Sequence, residues 1–352
     1  MALQLKDLLG KAIADNASDL HINAGAPPHM RIDGSLLPAS EERLCAEDAR
    51  ELCYQCLNQE QVMKLDSQRT IDLSFSVGEI SRVRANLYCS LDAVAGAFRL
   101  IPFEIPEPSE LGIPDCMLKT TEKAQGLVFV AGVSGCGKST SLAAMIEKIN
   151  RERRAHIITI EDPIEYIYTQ KNCIINQREV GQDTPAFHSA LKCALREDPD
   201  VVLVGEMRDL ETVQGAMTLA ETGHLVFATL HTGSAVQTVD RVIDVFPSHQ
   251  QPQARAQLSS ILEGVFCQQL IPRIGGGRAL AVEALLPDSG TRNMISEGKT
   301  RQITAEMRTG RRGAEMFTMD QSIAGLVKRG VIEQKEARRR SISPTDFDAA
   351  LR

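Results

Sequence analysis

A glycine-rich loop between an apolar segment and a helical pattern carries the clearest chemical signal in the sequence. Residues 127–131 before the loop have the composition of a buried strand, and residues 141–149 after it have helical spacing. Strand, glycine loop and helix is the arrangement of a phosphate-binding P-loop, where backbone N–H groups and a helix N-terminus converge on a polyphosphate. The loop therefore predicts nucleotide binding. Its residues are Gly132, Val133, Ser134, Gly135, Cys136, Gly137, Lys138, Ser139 and Thr140.

Three side chains of this loop have different predicted roles. Lys138 is expected to reach the β- and γ-phosphates of ATP, and the hydroxyl of Ser139 is expected to bind Mg²⁺. At Cys136 the loop needs only the backbone N–H, so a cysteine is tolerated there. Its thiol is expected to be open to modification.

Three further apolar runs each end in a polar side chain. They lack the alternation of a strand with one wet face, which predicts a parallel sheet covered on both faces. The side chains at their ends are Glu161, Glu206 and His231. Because ligands bind beyond the carboxyl ends of parallel strands, we expect these side chains to converge with the P-loop. The runs cover residues 156–160, 200–205 and 225–230.

Hydrolysis of ATP needs a metal ion on the phosphates, a carboxylate that orients water, and cations that stabilise the transferred group. We assign Glu206, in a segment of Walker B type, to Mg²⁺ through water, and Glu161 to polarising the attacking water. The alternative for both carboxylates is a helix cap. His224 and His231 bracket the third run, and we predict hydrogen bonds from them to the γ-phosphate or the water-positioning group; buried core histidines are the alternative.

The cations for the transferred phosphate are harder to find. Arg208 follows Glu206 but is expected to lie in a turn leading away from it. In the first hundred residues, strands of period two present Arg82, Arg84 and Arg99 from sheet positions. Such arginines are usually surface residues. If a neighbouring copy of the chain brought them to the phosphates, catalysis would depend on a ring.

The order of the patterns divides the chain into two domains and a linker. Residues 1–100 read as an α+β domain, and the proline-rich residues 101–116 as an extended linker. Residues 117–352 read as an α/β domain.

Within the first domain we predict a helix over residues 3–14, a helical region over 47–65, and a hairpin turning at Asp33 and Gly34. In the last third we predict helices over 234–245, 250–270 and 288–299, with a strand pair over 278–286.

Composition limits the classes of function. The chain has 352 residues and a formal net charge of −7. Nucleic-acid phosphates are bound by basic surfaces, so we expect no nucleic-acid partner. No apolar run approaches the roughly 18 residues of a membrane span, and the first ten residues lack a signal peptide's apolar stretch. We therefore expect a cytoplasmic protein.

The cysteines point the same way. Nine cysteines are scattered through the sequence, which is typical of a reducing compartment. Cys53 and Cys56 form a lone CxxC without the second pair or histidines that a structural zinc site needs, and we predict that they are buried or idle.

Together these motifs resemble the PilT family of the secretion ATPase superfamily. The resemblance implies a homohexamer whose subunits combine a PAS-like N-terminal domain with a RecA-like ATPase domain, using ATP and Mg²⁺. In it, Arg82, Arg84 and Arg99 match the family's nucleotide-sensing arginines, Glu161 its catalytic glutamate and Glu206 its Walker B acid. The motifs that carry it lie at residues 17–22, 81–86, 132–140, 158–166, 204–209 and 222–232.

The resemblance also implies a function. Members of the family power type IV pilus retraction, and hence twitching motility, by disassembling the pilin fibre. They work at the cytoplasmic base of the pilus machine, on an inner-membrane platform protein resembling PilC. Residues 290–297 depart from the retraction signature at Thr291 and Ser296, which leaves open an accessory motor resembling PilU that works beside a paralogous retraction ATPase.

Three other functions remain as alternatives. A pilus extension or type II secretion ATPase usually carries a paired CxxC zinc element, which this sequence lacks. A RecA-like nucleic-acid translocase is disfavoured by the acidic charge. A nucleotide-binding regulator without turnover is disfavoured by the full set of catalytic groups.

Overall fold

The computed structural model describes residues 3–15, 17–32, 35–77, 81–102, 105–308 and 315–352. The chain forms two compact units, one of Met1–Glu104 with Glu165–Ile167 and one of Ile105–Ile164 with Tyr168–Arg352. Among the described residues, no helix combines the length and apolar character needed to traverse a lipid bilayer.

The N-terminal unit is an antiparallel sheet with helices on one face. The strand order is β3-β2-β1-β6-β5-β4. The strands are β1 Asp19–Ile22, β2 His29–Ile32, β3 Ser35–Pro38, β4 Thr70–Val77, β5 Ser81–Ser90 and β6 Ala93–Pro102. The helices are α1 Leu5–Ala14, α2 Ala46–Tyr54 and α3 Gln59–Gln68.

Alternation along β5 sorts its side chains between the two faces of this sheet. Val83, Ala85 and Leu87 are buried in the core, whereas Arg84 is exposed on the opposite face. Arg84 pairs directly with Arg99 of β6, so the two arginines share that exposed face.

Two predictions for this unit change in detail. The helical region over residues 47–65 is two helices, because Asn58 caps α3 and forms a capping box with Gln61. β2 and β3 form the predicted hairpin with Ile32 opposite Ser35, while its turn at Asp33 and Gly34 lies outside the described residues.

The region predicted as an extended linker contains regular structure. β6 continues to Pro102, and two short helices follow, α4 Pro108–Leu111 and α5 Asp115–Leu118. Pro108 occupies the first helical position of α4, where a missing N–H costs nothing. Residues 103–104 lie outside the described part of the chain.

The C-terminal unit is built on a seven-stranded sheet of order β13-β12-β7-β11-β10-β8-β9. Six strands are parallel and β13 is antiparallel to β12. The predicted mixed α/β fold with a parallel sheet is confirmed. The strands are β7 Gly126–Ala131, β8 His156–Glu161, β9 Ile174–Glu179, β10 Val201–Val204, β11 Leu225–Leu230, β12 Leu262–Pro272 and β13 Arg278–Leu285.

Helices cover this sheet, and the apolar clusters that they bury among the described residues include a large one and a small one. The larger cluster lies around β7, β10 and β11, and a smaller one packs the last three helices against β12 and β13. The helices are α6 Lys138–Glu152, α7 Phe187–Ala194, α8 Leu210–Glu221, α9 Ala235–Asp244, α10 Gln251–Ile261, α11 Ser289–Ser296, α12 Thr300–Arg308, α13 Met319–Lys328, α14 Gln334–Arg340 and α15 Pro344–Leu351.

The helix predicted over residues 250–270 is wrong in its second half. α10 ends at Ile261 and β12 begins at Leu262, beside the P-loop strand β7. β12 is buried on both faces, so its apolar residues do not alternate and their spacing imitates a continuing helix. The predicted strand pair over residues 278–286 is the single strand β13, whose partner is β12.

Candidate functional site

The P-loop leaves β7 through a turn that only glycine can form. Gly132 has a φ of 139°, and a Cβ there would lie 2.5 Å from the Cys136 sulfur and 2.6 Å from the Gln268 carbonyl oxygen. Gly135 and Gly137 also have positive φ, and α6 begins immediately at Lys138. Backbone N–H groups and a helix N-terminus therefore meet in one loop, as phosphate binding requires.

Backbone carbonyl groups of the P-loop hold the Lys138 side chain in place. Its Nζ donates to the carbonyl oxygens of Gly132, at 2.8 Å, and of Val133, at 3.3 Å. The Lys138 side chain is largely buried, so its aliphatic part packs in the protein and its charge is carried by Nζ alone. An ammonium group has three N–H donors, so a phosphate oxygen can accept the third while both carbonyls keep theirs.

The structure does not support a reactive Cys136. The residue is 3% exposed, and its burial raises the pKa of the thiol, which disfavours the nucleophilic thiolate. The thiol fills the space beneath Gly132, so its role in this structure is packing.

Glu206 and His231 converge beside the P-loop, as the strand order requires. Gly132 N–H donates to Leu230 O at 3.2 Å, which places the loop next to the end of β11. His231 follows β11, and its Nε2 lies 3.3 Å from Glu206 Oε1 beyond β10. The predicted meeting of these groups at the carboxyl edge of the sheet is present in the structure.

Arg208 does not lead away from the site as predicted. Its Nη2 lies 2.6 Å from Glu206 Oε2. This hydrogen bond, aided by His231, lowers the pKa of the Glu206 carboxyl against the opposing effect of its partial burial. Glu206 is therefore ionised at neutral pH, the form in which a carboxylate binds a cation or orients water.

Glu161 lies farther along the same edge. β8, which it ends, is separated from β7 by β11 and β10, so the carboxylate is roughly 14 Å across the sheet from the P-loop strand. It is 8% exposed and its Oε1 accepts a 2.7 Å hydrogen bond from Thr159. Thr159 had not been predicted, and a buried hydroxyl two residues before a strand-end carboxylate was the available signal.

His224 is not brought to this edge. It precedes β11, and its carbonyl accepts from Gly126 N–H at the start of β7, the opposite end of both strands. Its Nδ1 lies 2.9 Å from Leu219 O at the end of α8. Within the unit, His224 therefore lies at the amino edge of the sheet, and the role predicted for it has no support from this geometry.

The P-loop helix is tied to the sheet by a residue that sequence reasoning missed. Gln268 of β12 is 3% exposed, and its Nε2 donates to Ser141 Oγ of α6 at 2.8 Å. A buried glutamine in an apolar run would have signalled this tie, but only once residues 262–272 were assigned to a strand.

A buried carboxylate anchors the helix that follows His231. Glu283 of β13 accepts hydrogen bonds from the N–H groups of Ala235, at 2.7 Å, and Met319, at 3.2 Å. These residues begin α9 and α13, so one side chain caps two helices. Burial raises the pKa of Glu283, and the two N–H groups oppose that shift.

Oxygen ligands suitable for Mg²⁺ are present. The Ser139 hydroxyl lies in the first turn of α6, and Glu206 supplies an ionised carboxylate at the same sheet edge. Among the described residues no group of three or more His, Cys, Asp or Glu is placed to hold a metal ion by itself. An ion bound mainly through phosphates and water does not need such a group.

The three predicted arginines belong to the N-terminal unit, on the face of its sheet away from the core. Arg99 Nε lies 3.1 Å from Asp19 Oδ1, and Arg31 Nε lies 3.9 Å from the other oxygen of that carboxylate. Arg82 and Arg84 alternate with core residues of β5 and therefore share this face.

Comparison with known proteins identifies the family. The model of the family described as type II/IV secretion system protein matches residues 109–351. The type IV pilus retraction ATPase PilT of Pseudomonas aeruginosa is 42% identical over 345 residues, covering 98% of this chain and 100% of that protein. The chain belongs to the type II/IV secretion system protein family.

Other members of this secretion family extend the likeness. The type IV pilus ATPase PilU of Pseudomonas aeruginosa is 37% identical over 98% of this chain and 90% of its own. A crystal structure of the pilus retraction motor PilT with bound ADP is 46% identical, with 99% of both chains covered and a TM-score of 0.93. The predicted resemblance to the PilT family is confirmed.

The segment predicted to depart from the family's retraction signature forms α11. Arg292 donates to the carbonyls of Ser259 and Ser260, at 2.7 and 3.0 Å, and to Glu263 at 2.9 Å. It therefore caps α10 and joins α11 to the start of β12. Thr291 is buried, so its difference from the signature falls on an internal position.

Proposed function

We propose that the chain is an ATP-hydrolysing motor that powers type IV pilus retraction by disassembling the pilin fibre. One observation carries the proposal: the P-loop, Glu206 and His231 meet at one edge of a parallel sheet, in a chain 42% identical to a pilus retraction ATPase. A crystal structure of the pilus retraction motor PilT contains bound ADP, which supports nucleotide binding by this chain, and we place the nucleotide at the P-loop.

Each group has a task in this proposal. Lys138 binds the β- and γ-phosphates, while Ser139 and, through water, Glu206 hold Mg²⁺, which when bound neutralises charge on the phosphates. Glu161, oriented by Thr159, polarises the attacking water. His231 fixes the orientation of Glu206.

The assembly in this proposal is a homohexamer in the cytoplasm, resting on an inner-membrane platform protein of PilC type. Arg82, Arg84 and Arg99 stabilise charge on the phosphates of a neighbouring copy. The support is the likeness to retraction ATPases and the shared exposed face of these arginines.

A second candidate is an accessory retraction ATPase, which acts only beside a paralogous motor. It is favoured by 37% identity to PilU over 98% of the chain, together with Thr291 and Ser296 in α11. Pilus retraction in cells that retain this ATPase and lack its paralogue separates the two candidates, because an accessory motor leaves those fibres extended.

Glu161→Gln tests the chemistry. The amide keeps the volume of the carboxylate but cannot take a proton from water, so we expect ATP binding to persist and hydrolysis to fall at least about a hundredfold. Nucleotide titration and steady-state phosphate release measure the two quantities. Cells carrying this variant should assemble pili that they do not retract.

Glu122→Gln is the matched control, because Glu122 is exposed and lies just before β7, at the amino edge of the sheet and so away from the nucleotide edge. It should leave both measurements unchanged. Unreduced hydrolysis by Glu161→Gln, with loss in Glu206→Gln, would transfer the role of base to Glu206. Stimulation of wild-type hydrolysis by DNA would contradict a pilus motor and favour a translocase.

A further inference from the structure

The tip of the β12–β13 hairpin forms an exposed surface with the turn between α13 and α14. The Ile274 N–H donates to Val331 O at 3.0 Å, which fixes the hairpin against that turn. The proposed function uses no residue of this surface. We call it the basic tip, and it consists of Arg273, Ile274, Arg278, Lys328 and Arg329.

The basic tip has a charge opposite to that of the whole protein. Its four cations are exposed, and within the described ranges none has a carboxylate at salt-bridge distance. Six basic and two acidic residues lie between Lys328 and Arg340, although the chain as a whole carries −7. Glu333, two residues beyond Val331, is the nearest carboxylate along the chain and cannot balance four cations.

The shape of the tip is convex. Ile274 is 56% exposed, and the three residues after it are glycines with positive φ and open space around each. An aliphatic side chain therefore projects between cations from a narrow turn. At a membrane surface, apolar side chains of this kind enter the headgroup region while arginines pair with lipid phosphates.

We propose that the basic tip binds the surface of a membrane that contains anionic phospholipids. The exposed isoleucine at a convex apex favours this partner over an acidic protein segment, for which a groove with spaced pockets would be expected. The inference goes beyond the proposed function and does not depend on it, because membrane binding is measured without nucleotide.

Co-sedimentation with vesicles tests the inference on the full-length protein. We expect wild type to bind vesicles of phosphatidylcholine mixed with phosphatidylglycerol and not to bind vesicles of phosphatidylcholine alone. Binding to the mixed vesicles should weaken as the salt concentration rises. Each basic residue near an anionic surface strengthens binding about fivefold, so the double variant R273E/R278E should bind at least about tenfold more weakly. Ile274→Ser should also weaken binding, without any change in charge.

The double variant K6E/K192E is the matched control, because it reverses two exposed lysines outside the tip. It should bind the mixed vesicles within about twofold of wild type. Equal losses in both double variants would show a response to net charge alone and overturn the proposal. Absence of vesicle binding by wild type would also overturn it, and retention on immobilised polyglutamate would then assign the tip to an acidic protein. Circular dichroism confirms that each variant is folded.

Discussion

Gly132 shows how closely a single position can be constrained in this loop. Two independent causes exclude a side chain there: the φ of 139°, and contacts of 2.5 and 2.6 Å that a Cβ would make. Gly135, three residues later, has only the unfavourable backbone angle. Its φ is 77°, but no atom lies within 4 Å of the position that a Cβ would occupy there. The pair therefore separates backbone strain from steric conflict.

Alanine at these two positions should have different costs. Gly132→Ala should lower the free energy of unfolding by about 2–5 kcal/mol, because strain and overpacking add, and Gly135→Ala by about 1–2 kcal/mol. Denaturant unfolding without nucleotide measures both variants. Equal losses would mean that the loop relaxes around the new methyl group and that the contacts of Gly132 are not decisive.

Individual site residues could be predicted from the sequence only where they directly follow a buried strand, because that position places them at the carboxyl edge of the sheet. Glu206 and His231 follow buried runs, and their meeting follows from parallel strands. His224 precedes the same strand as His231, and the two ends of one strand lie at opposite edges. Arg208 could not be assigned, because its contact with Glu206 depends on how a turn orients the side chain. Thr159 was missed although it was predictable, because residues two apart on a strand share a face and Glu161 follows it at that spacing.

Among the elements, α9 and α13 depend on β13, a strand that directly precedes neither of them. Glu283 of β13 caps both helices through one carboxylate. Burial raises the pKa of this carboxyl in the folded protein above its unfolded value. The stability linked to it is therefore full at low pH and is lost as pH rises through the raised pKa.

Glu283→Gln should expose this linkage. Its amide offers one acceptor to two N–H groups, so we expect faster hydrogen exchange at Ala235 and Met319, equivalent to about 1–3 kcal/mol. The difference in exchange-derived free energy between wild type and Glu283→Gln should narrow as pH rises. The reason is that only wild type has the Glu283 carboxyl and loses stability when it is deprotonated. Hydrogen exchange at several pH values, corrected for intrinsic rates and with Glu122→Gln as control, measures the difference. A gap that stays constant with pH would contradict the raised pKa.

Element types were predictable where apolar patterns were unambiguous. β7, β8, β10 and β11 are short buried runs bounded by polar residues, and the structure confirms all four. β12 was not predictable, because it follows α10 without a break and is buried on both faces. β9 was missed for the opposite reason: it is an edge strand with a 60% exposed Ile174 and several polar residues.

For the whole molecule, the decisive question is whether one chain can complete its own catalytic site. The arginines proposed to stabilise phosphate charge belong to the N-terminal unit, while the P-loop belongs to the C-terminal unit. In the proposed ring they act on a neighbouring copy.

The triple variant R82A/R84A/R99A tests this dependence. We expect hydrolysis to fall at least about a hundredfold, because arginines at a transferred phosphate contribute that much or more. Specific activity of wild type should rise with protein concentration as rings assemble. Phosphate release across a dilution series measures both effects.

Arg43→Ala, at an exposed residue of the N-terminal unit, is the control and should behave as wild type. Wild-type activity that is independent of dilution, together with full activity in the triple variant, would show that a single chain suffices.

The pairing of Arg84 with Arg99 has a consequence for how the N-terminal unit responds to its surroundings. Two like charges face each other across adjacent strands, and Asp19, the acid beside Arg99, is shared with Arg31. Dissolved ions screen this repulsion, so the N-terminal unit should gain stability in concentrated electrolyte. Surfaces built from ion pairs lose stability under the same conditions, because their attraction is screened. A bound polyphosphate would neutralise the same two arginines at a far lower concentration than simple salt. Relief of their repulsion would therefore favour phosphate binding on this face.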